Sequence, residues 1–241
     1  MDVSLIEAAI TKRTSAIVPV HFTGYMSKMD IVMKIAEKYG LVVVEDACQS
    51  ILAEWKGKKA GTWGHAAAFS LHPLKNLNVW SDGGVIVTQD EELNRKLRLL
   101  RNHGLINRDH VVELGFNSRL DTFQAVVGNW LLPQAIEISN KRRANAQKLD
   151  ELLSKIPQIQ IPARTIEMRV VFHLYVVYAE KRNELLNFCQ QQGVEAKVHY
   201  PIPIYKQAAL KEIASGCNFP ITDFQAQNTI SFPCDQHLSE E

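Results

Sequence analysis

The chain has 241 residues, enough to bury a sizeable core and to hold one large domain plus part of a second. Its 27 basic and 26 acidic residues leave a formal net charge of +1, which argues against a nucleic-acid surface or a strongly acidic partner. Cys48, Cys189, Cys217 and Cys234 are scattered without metal-ligand spacing, no stretch approaches the ~18 apolar residues of a membrane span, and Met1-Asp2-Val3-Ser4 carries no signal pattern. The expectation is a cytoplasmic protein with reduced thiols, no metal, no membrane and no nucleic acid.

In chain order, residues 4–10 read as a short helix and 15–21 as a strand. Residues 27–39 place Met29, Val32, Met33, Ile35 and Ala36 on one face of an amphipathic helix. Residues 41–46 form a continuous apolar run that stops at Glu45 and Asp46, which reads as a strand buried on both faces, as in a parallel sheet. A buried carboxylate at its carboxyl end needs a cationic or donor partner. The protonated ring nitrogen of pyridoxal phosphate is one such partner; equally, both carboxylates can simply cap a following helix. Gln49, one turn on, is placed to donate to the ring oxygen of that cofactor.

Residues 66–70 read as a second buried strand ending at Ser70. Pro73 blocks regular structure, so Lys75 falls on an irregular turn at the strand's end, where open α/β sheets place their chemistry. A partly desolvated lysine there can lose its proton and form a Schiff base with an aldehyde cofactor, with Ser70 beside it as a phosphate donor. A lone lysine is ordinarily a solvated loop side chain; only the neighbours turn the reading toward chemistry.

Residues 84–88 read as a strand. Residues 91–101 read as a helix with Leu93, Leu97 and Leu100 on one face, and 121–132 as a rather apolar helix. A long helix over 135–154 heads toward a second domain, with Pro157 and Pro162 punctuating the junction. Residues 170–178 read as a strand, followed by a helix over 181–192, Gly193 and a short strand through Val198. The alternation predicts a three-layer α/β core with a mostly parallel sheet and a smaller α+β carboxyl-terminal domain. The expected boundaries are 1–134, a connecting helix over 135–156, and 157–241.

Several segments together resemble one family. They are Ala16-Ile17-Val18-Pro19-Val20-His21 with Gly24, Glu45-Asp46-Ala47-Cys48-Gln49, Phe69-Ser70 with Lys75, and Asp82-Gly83-Gly84. Asn102-His103-Gly104, Gly115-Phe116-Asn117-Ser118-Arg119 and His199-Tyr200-Pro201 follow in order. The pattern is similar to that of the DegT/DnrJ/StrS sugar aminotransferases and covers essentially the whole chain. The resemblance implies the fold type I architecture of transferases that use pyridoxal 5'-phosphate. Lys75 would be the Schiff-base lysine and proton shuttle, Asp46 the partner of the ring nitrogen, Gln49 a contact near the phenolic oxygen and Ser70 a phosphate ligand. Asn117 would reach the phosphate of the partner in a homodimer with shared active sites.

The implied substrates are an amino donor, commonly glutamate, and a keto sugar linked to a nucleotide. A branch of the family that dehydrates sugars replaces the lysine with histidine; retention of Lys75 favours amination. Against the family pattern, the first third of the large domain is missing, with its Gly-Thr phosphate loop and the aromatic that stacks on the cofactor ring, and the small domain is incomplete. A truncated, non-catalytic binding or regulatory relative is therefore the competing reading, with a sugar dehydratase behind it.

Overall fold

The computed structural model describes residues 1–239. In chain order the elements are α1 (Ile6–Ala9), β1 (Ala16–Ile17), α2 (Met29–Tyr39), β2 (Val42–Asp46), β3 (Glu54–Trp55), β4 (Lys58–Lys59), β5 (Ala66–Ser70), β6 (Gly84–Val87), α3 (Glu91–Leu100), α4 (Thr122–Leu131), α5 (Ala135–Leu153), β7 (Ile159–Gln160), β8 (Met168–Arg169), β9 (Tyr175–Ala179), α6 (Arg182–Gln191), α7 (Pro220–Asn228) and β10 (Thr229–Phe232). The chain divides into two compact units, Met1–Asn140 with Thr165–His173, and Lys141–Arg164 with the segment from Leu174 onward.

The first unit is built on a four-stranded sheet in the order β1-β2-β5-β6. β1, β2 and β5 run parallel, and β6 is antiparallel to β5. α2 buries Met29, Val32, Ile35 and Ala36 in a cluster with Ile17, Val43 and Trp55. Its spacing follows from the 3.6-residue period, and Gly40 ends it in the left-handed conformation (φ 64°) while the Leu41 amide reaches back to the Ala36 carbonyl. α3 is capped by Asp90 and α4 by a reciprocal pair, Asp121 on the Phe123 amide and Gln124 on the Asp121 amide. A second small sheet, β4-β3-β8, brings residues 165–173 back to the first unit, because Glu54 pairs with Arg169 and Trp55 with Met168.

Three local expectations change. β1 is only two residues long, since Pro19 has no amide to offer the ladder; pairing resumes as an isolated bridge between Val20 and Asp46. β2 is not buried on both faces. Val43 and Glu45 are fully buried, but Val42 on the opposite face is 44% exposed. The strand expected over 170–178 begins only at Tyr175: Phe172 sits at φ 46°, and residues 170–173 belong to the first unit while β9 belongs to the second. Apolar content hid that break.

The second unit has its own antiparallel sheet, β10-β9-β7, with Tyr175, Val177 and Ile230 wholly buried. Arg164 grips both oxygens of Asp150, at 2.9 and 2.8 Å, and the Tyr175 hydroxyl donates to the same carboxylate at 2.7 Å. Burial holds the Tyr175 phenol far above its usual range. The strand expected through Val198 is a single bridge, Lys197 to Ser231.

Candidate active site

Parallel pairing sets the carboxyl ends of β2 and β5 side by side. Asp46 lies opposite Ala68, two residues before Ser70. Beyond Asp46 the chain turns at once, and the Cys48 amide donates to Asp46 Oδ1 at 3.1 Å, which fixes the carboxylate. Gln49 Oε1 accepts the Thr23 amide at 2.6 Å.

After β5 the chain makes the irregular turn that Pro73 dictates. The His72 amide donates to Ser70 Oγ (3.3 Å), His72 Nδ1 accepts the Leu74 amide (3.2 Å), and the Lys75 amide closes on the His72 carbonyl (2.8 Å). His72 thus bonds within its own turn, and its Nε2 stands 3.9 Å from the exposed Asp82. Asn76 is buried behind Lys75. Its Nδ2 donates to the Val171 carbonyl at 3.0 Å, and among the described residues its Oδ1 has no hydrogen-bond partner.

Lys75 is half-buried. Desolvation lowers its pKa below the ordinary lysine value, against the opposing influence of Cys48 and then Asp46. The same interactions tie the three side chains together. Burial first, and the Asp46 carboxylate next, push the Cys48 thiol up to about 11, so that thiol is inert at neutral pH.

Four predicted site residues, Asp46, Gln49, Ser70 and Lys75, therefore stand on adjoining strand ends and the turns that follow them. Asn117 does not join them. It lies on an exposed loop, bridged to Asn102, and among the described residues no bond links it to the Lys75 turn. Two contributors were illegible in the sequence. Thr23 acts through its main chain, which no side-chain pattern reports. Glu45 is no helix cap: it is wholly buried, its Oε2 accepts His21 Nε2 (3.0 Å) and the Gly61 amide (2.9 Å), and its Oε1 accepts the Trp63 and Gly64 amides (both 2.8 Å). An acidic residue interrupting an apolar run was the one available signal.

The donor set suits pyridoxal phosphate. A lysine amine matches its aldehyde, an anchored carboxylate its ring nitrogen, the Gln49 amide NH2 its ring oxygen, and the Ser70 hydroxyl hydrogen its phosphate. Ser70 Oγ already accepts an amide, so its proton is the group left to give.

Comparison with known proteins bears on the fold and the family. The chain is 37% identical over its full length to a pleiotropic regulatory protein of Geobacillus stearothermophilus, and covers 66% of that protein. It is 36% identical over 99% of its length to the dTDP-3-amino-3,4,6-trideoxy-alpha-D-glucose transaminase of Streptomyces venezuelae, covering 63% of it. The crystal structure of S. venezuelae DesV in complex with a ketimine intermediate superposes with a TM-score of 0.94 at 36% identity, over 100% of this chain and 65% of that one. The chain thus spans slightly less than two thirds of the curated relatives named here. The family profile matches residues 1–241 throughout, and the chain belongs to the DegT/DnrJ/EryC1/StrS aminotransferase family.

Proposed function

We propose that the protein containing this chain transfers an amino group to a keto sugar, using pyridoxal 5'-phosphate held at Lys75, and that Asp46, Gln49 and Ser70 are its cofactor ligands. The observation that carries the reading is the half-buried Lys75 amine, with its pKa lowered, facing Asp46 across adjoining strand ends. The bound cofactor supplies the electron sink for loss of a proton from an amino-acid α-carbon. Lys75 holds the cofactor through its amine and, once released, carries that proton; a lowered pKa leaves more of it in the neutral form that can accept one. Asp46, anchored at Oδ1 by the Cys48 amide, keeps the ring nitrogen protonated. Ser70 donates to the phosphate.

The keto substrate is a nucleotide-linked sugar and the amino donor glutamate. In support of the first, relatives bear names such as dTDP-sugar transaminase and, in Acidithiobacillus ferrooxidans at 37% identity, UDP-N-acetyl-3-dehydro-alpha-D-glucosamine 3-aminotransferase. The assembled protein is a homodimer in which Asn117 serves the partner's site. Leu114 (94% exposed) and Phe116 (71% exposed) precede Asn117, and large apolar groups so exposed favour a covering surface. A cytoplasmic location accords with four free cysteines, and none of the described helices is long and apolar enough to cross a membrane.

The test uses the longest natural polypeptide containing this chain, incubated with pyridoxal phosphate, reduced with borohydride and mapped by mass spectrometry. A pyridoxyl group confined to Lys75 is expected. Folded protein without that adduct rejects the reading in favour of a non-catalytic relative, an alternative for which the name of the Geobacillus protein speaks. Product analysis separates amination from dehydration: the first adds an amine, the second removes an oxygen and adds none.

A further inference from the structure

Gln49 owes its orientation to the main chain of Thr23. The Thr23 amide donates to Gln49 Oε1 at 2.6 Å, and an N–H cannot donate to the amide's own NH2 end, so the contact decides which way the side chain faces. Nε2 is left with two hydrogens, and among the described residues it has no protein acceptor.

The turn that presents the Thr23 amide is held at unusual cost. Thr23 is β-branched yet sits in the left-handed region (φ 57°, ψ 10°), a conformation that persists only where the surroundings over-determine it. They do so here on every side. The His21 amide donates to the Asp46 carbonyl (3.0 Å) and the His21 ring bonds the buried Glu45. Thr23 Oγ1 donates to the Phe22 carbonyl at 2.8 Å. Gly24, at φ 99°, lies so near residues 171–173 that a Cβ would stand 2.8 Å from the Phe172 nitrogen, and its carbonyl accepts the Val171 amide. Residues 21–25 are thus clamped between the end of β2 and the 171–173 segment, and the Thr23 amide within them meets Gln49.

We infer that the Thr23 main-chain N–H is a positioning group for the cofactor site: it locks the Gln49 amide so that the Nε2 hydrogens are presented to the ring oxygen of bound pyridoxal phosphate. The inference rests on the function proposed above. It assigns to a strained turn, far from Lys75 in sequence, control over one contact to the cofactor ring.

The test replaces the Thr23 amide by an ester, through incorporation of the α-hydroxy analogue of threonine, in the longest natural polypeptide. This deletes one N–H without touching a side chain. The dissociation constant for pyridoxal phosphate is expected to rise about fivefold to tenfold, and the visible absorption band of the bound cofactor to shift, while Tm stays within about 4 °C of the unmodified protein. Gln49→Met is expected to give the same shift, and the ester no further effect in that background. Gln49→Glu keeps an acceptor for Thr23 but has no hydrogens to present, so it also loses affinity; should the ester protein not fold, these two variants decide. Unchanged affinity and band in the ester protein, or in both Gln49 variants, overturns the inference. If Lys75 is labelled by borohydride in such a protein, the functional reading survives; absence of any Lys75 adduct in the unmodified protein removes both.

Discussion

Glu45 and Asp46 are neighbours on one strand, face opposite sides of the sheet, and meet opposite fates. Glu45 is sealed from solvent, and both its oxygens are filled by four donors from His21 and the 61–64 loop. Asp46 is partly exposed and, among the described residues, receives a single main-chain amide, at Oδ1, from Cys48. Across from it, Lys75, Ser70 and Gln49 each keep a hydrogen-bonding group that nothing among the described residues meets. Glu45, which builds the fold, is fully partnered, as burial demands. The proposed ligand groups Asp46, Gln49 and Ser70 are each held at one atom and left open at another.

The contrast breaks most sharply at Lys75. Lys75→Ala is expected to bring amino transfer down to background and to abolish borohydride labelling, with circular dichroism and Tm close to the parent; full turnover in that variant would sink the proposal. On the sealed side the loss is one of stability. Glu45→Ala strands the buried His21 and three part-buried amides, and about 3–5 kcal/mol should disappear from urea unfolding.

Acid provides a second handle on the same carboxylate. Burial alone would raise the Glu45 pKa, but His21 and the amides of Gly64, Gly61 and Trp63 outweigh it and hold it below the ordinary glutamate value. A depressed folded pKa contributes stability that is complete above the unfolded value, about 4.3, and fades as pH falls through the folded value. Unfolding followed from pH 6 to pH 3 should therefore show a steep loss below about pH 4 that flattens in Glu45→Gln.

A smaller effect belongs to the loop that Glu45 anchors. A Cβ on Gly64 would lie 2.7 Å from the Val43 carbonyl oxygen, so Gly64→Ala should cost about 1–3 kcal/mol by thermal melting. The smallest lies in the other unit, where Asp150 keeps both Arg164 bonds after the Tyr175 hydroxyl is gone. Tyr175→Phe should cost only about 1 kcal/mol in the same assay. A loss as large as that of Glu45→Ala would mean that removing one of several donors costs as much as removing the carboxylate they share.

Much of this was legible in the sequence for reasons of local chemistry. Helices such as α2 and α3 announce themselves by apolar spacing, Pro73 forces the Lys75 turn, and β5 was located residue for residue from its run of small side chains. The break at Phe172 and the pairing of β3 with β8 were not legible, because each depends on a partner distant along the chain. The same limit applied at the site. Side-chain identities at 46, 49, 70 and 75 were visible, whereas the amide of Thr23 and the four donors around Glu45 have no signature in residue type.

The sequence by itself determined which groups are present: a lysine beyond one strand, carboxylates at the end of another, and the apolar periods that place those strands in a sheet. Which carboxylate is sealed and which stays open was decided only in three dimensions. Strand alternation turns adjacent residues to opposite faces, but what waits on each face comes from segments far away in the chain: the 61–64 loop for Glu45, the Lys75 turn for Asp46. Hydrogen bonding and desolvation act over a few ångströms of space, and only the folded chain sets those distances.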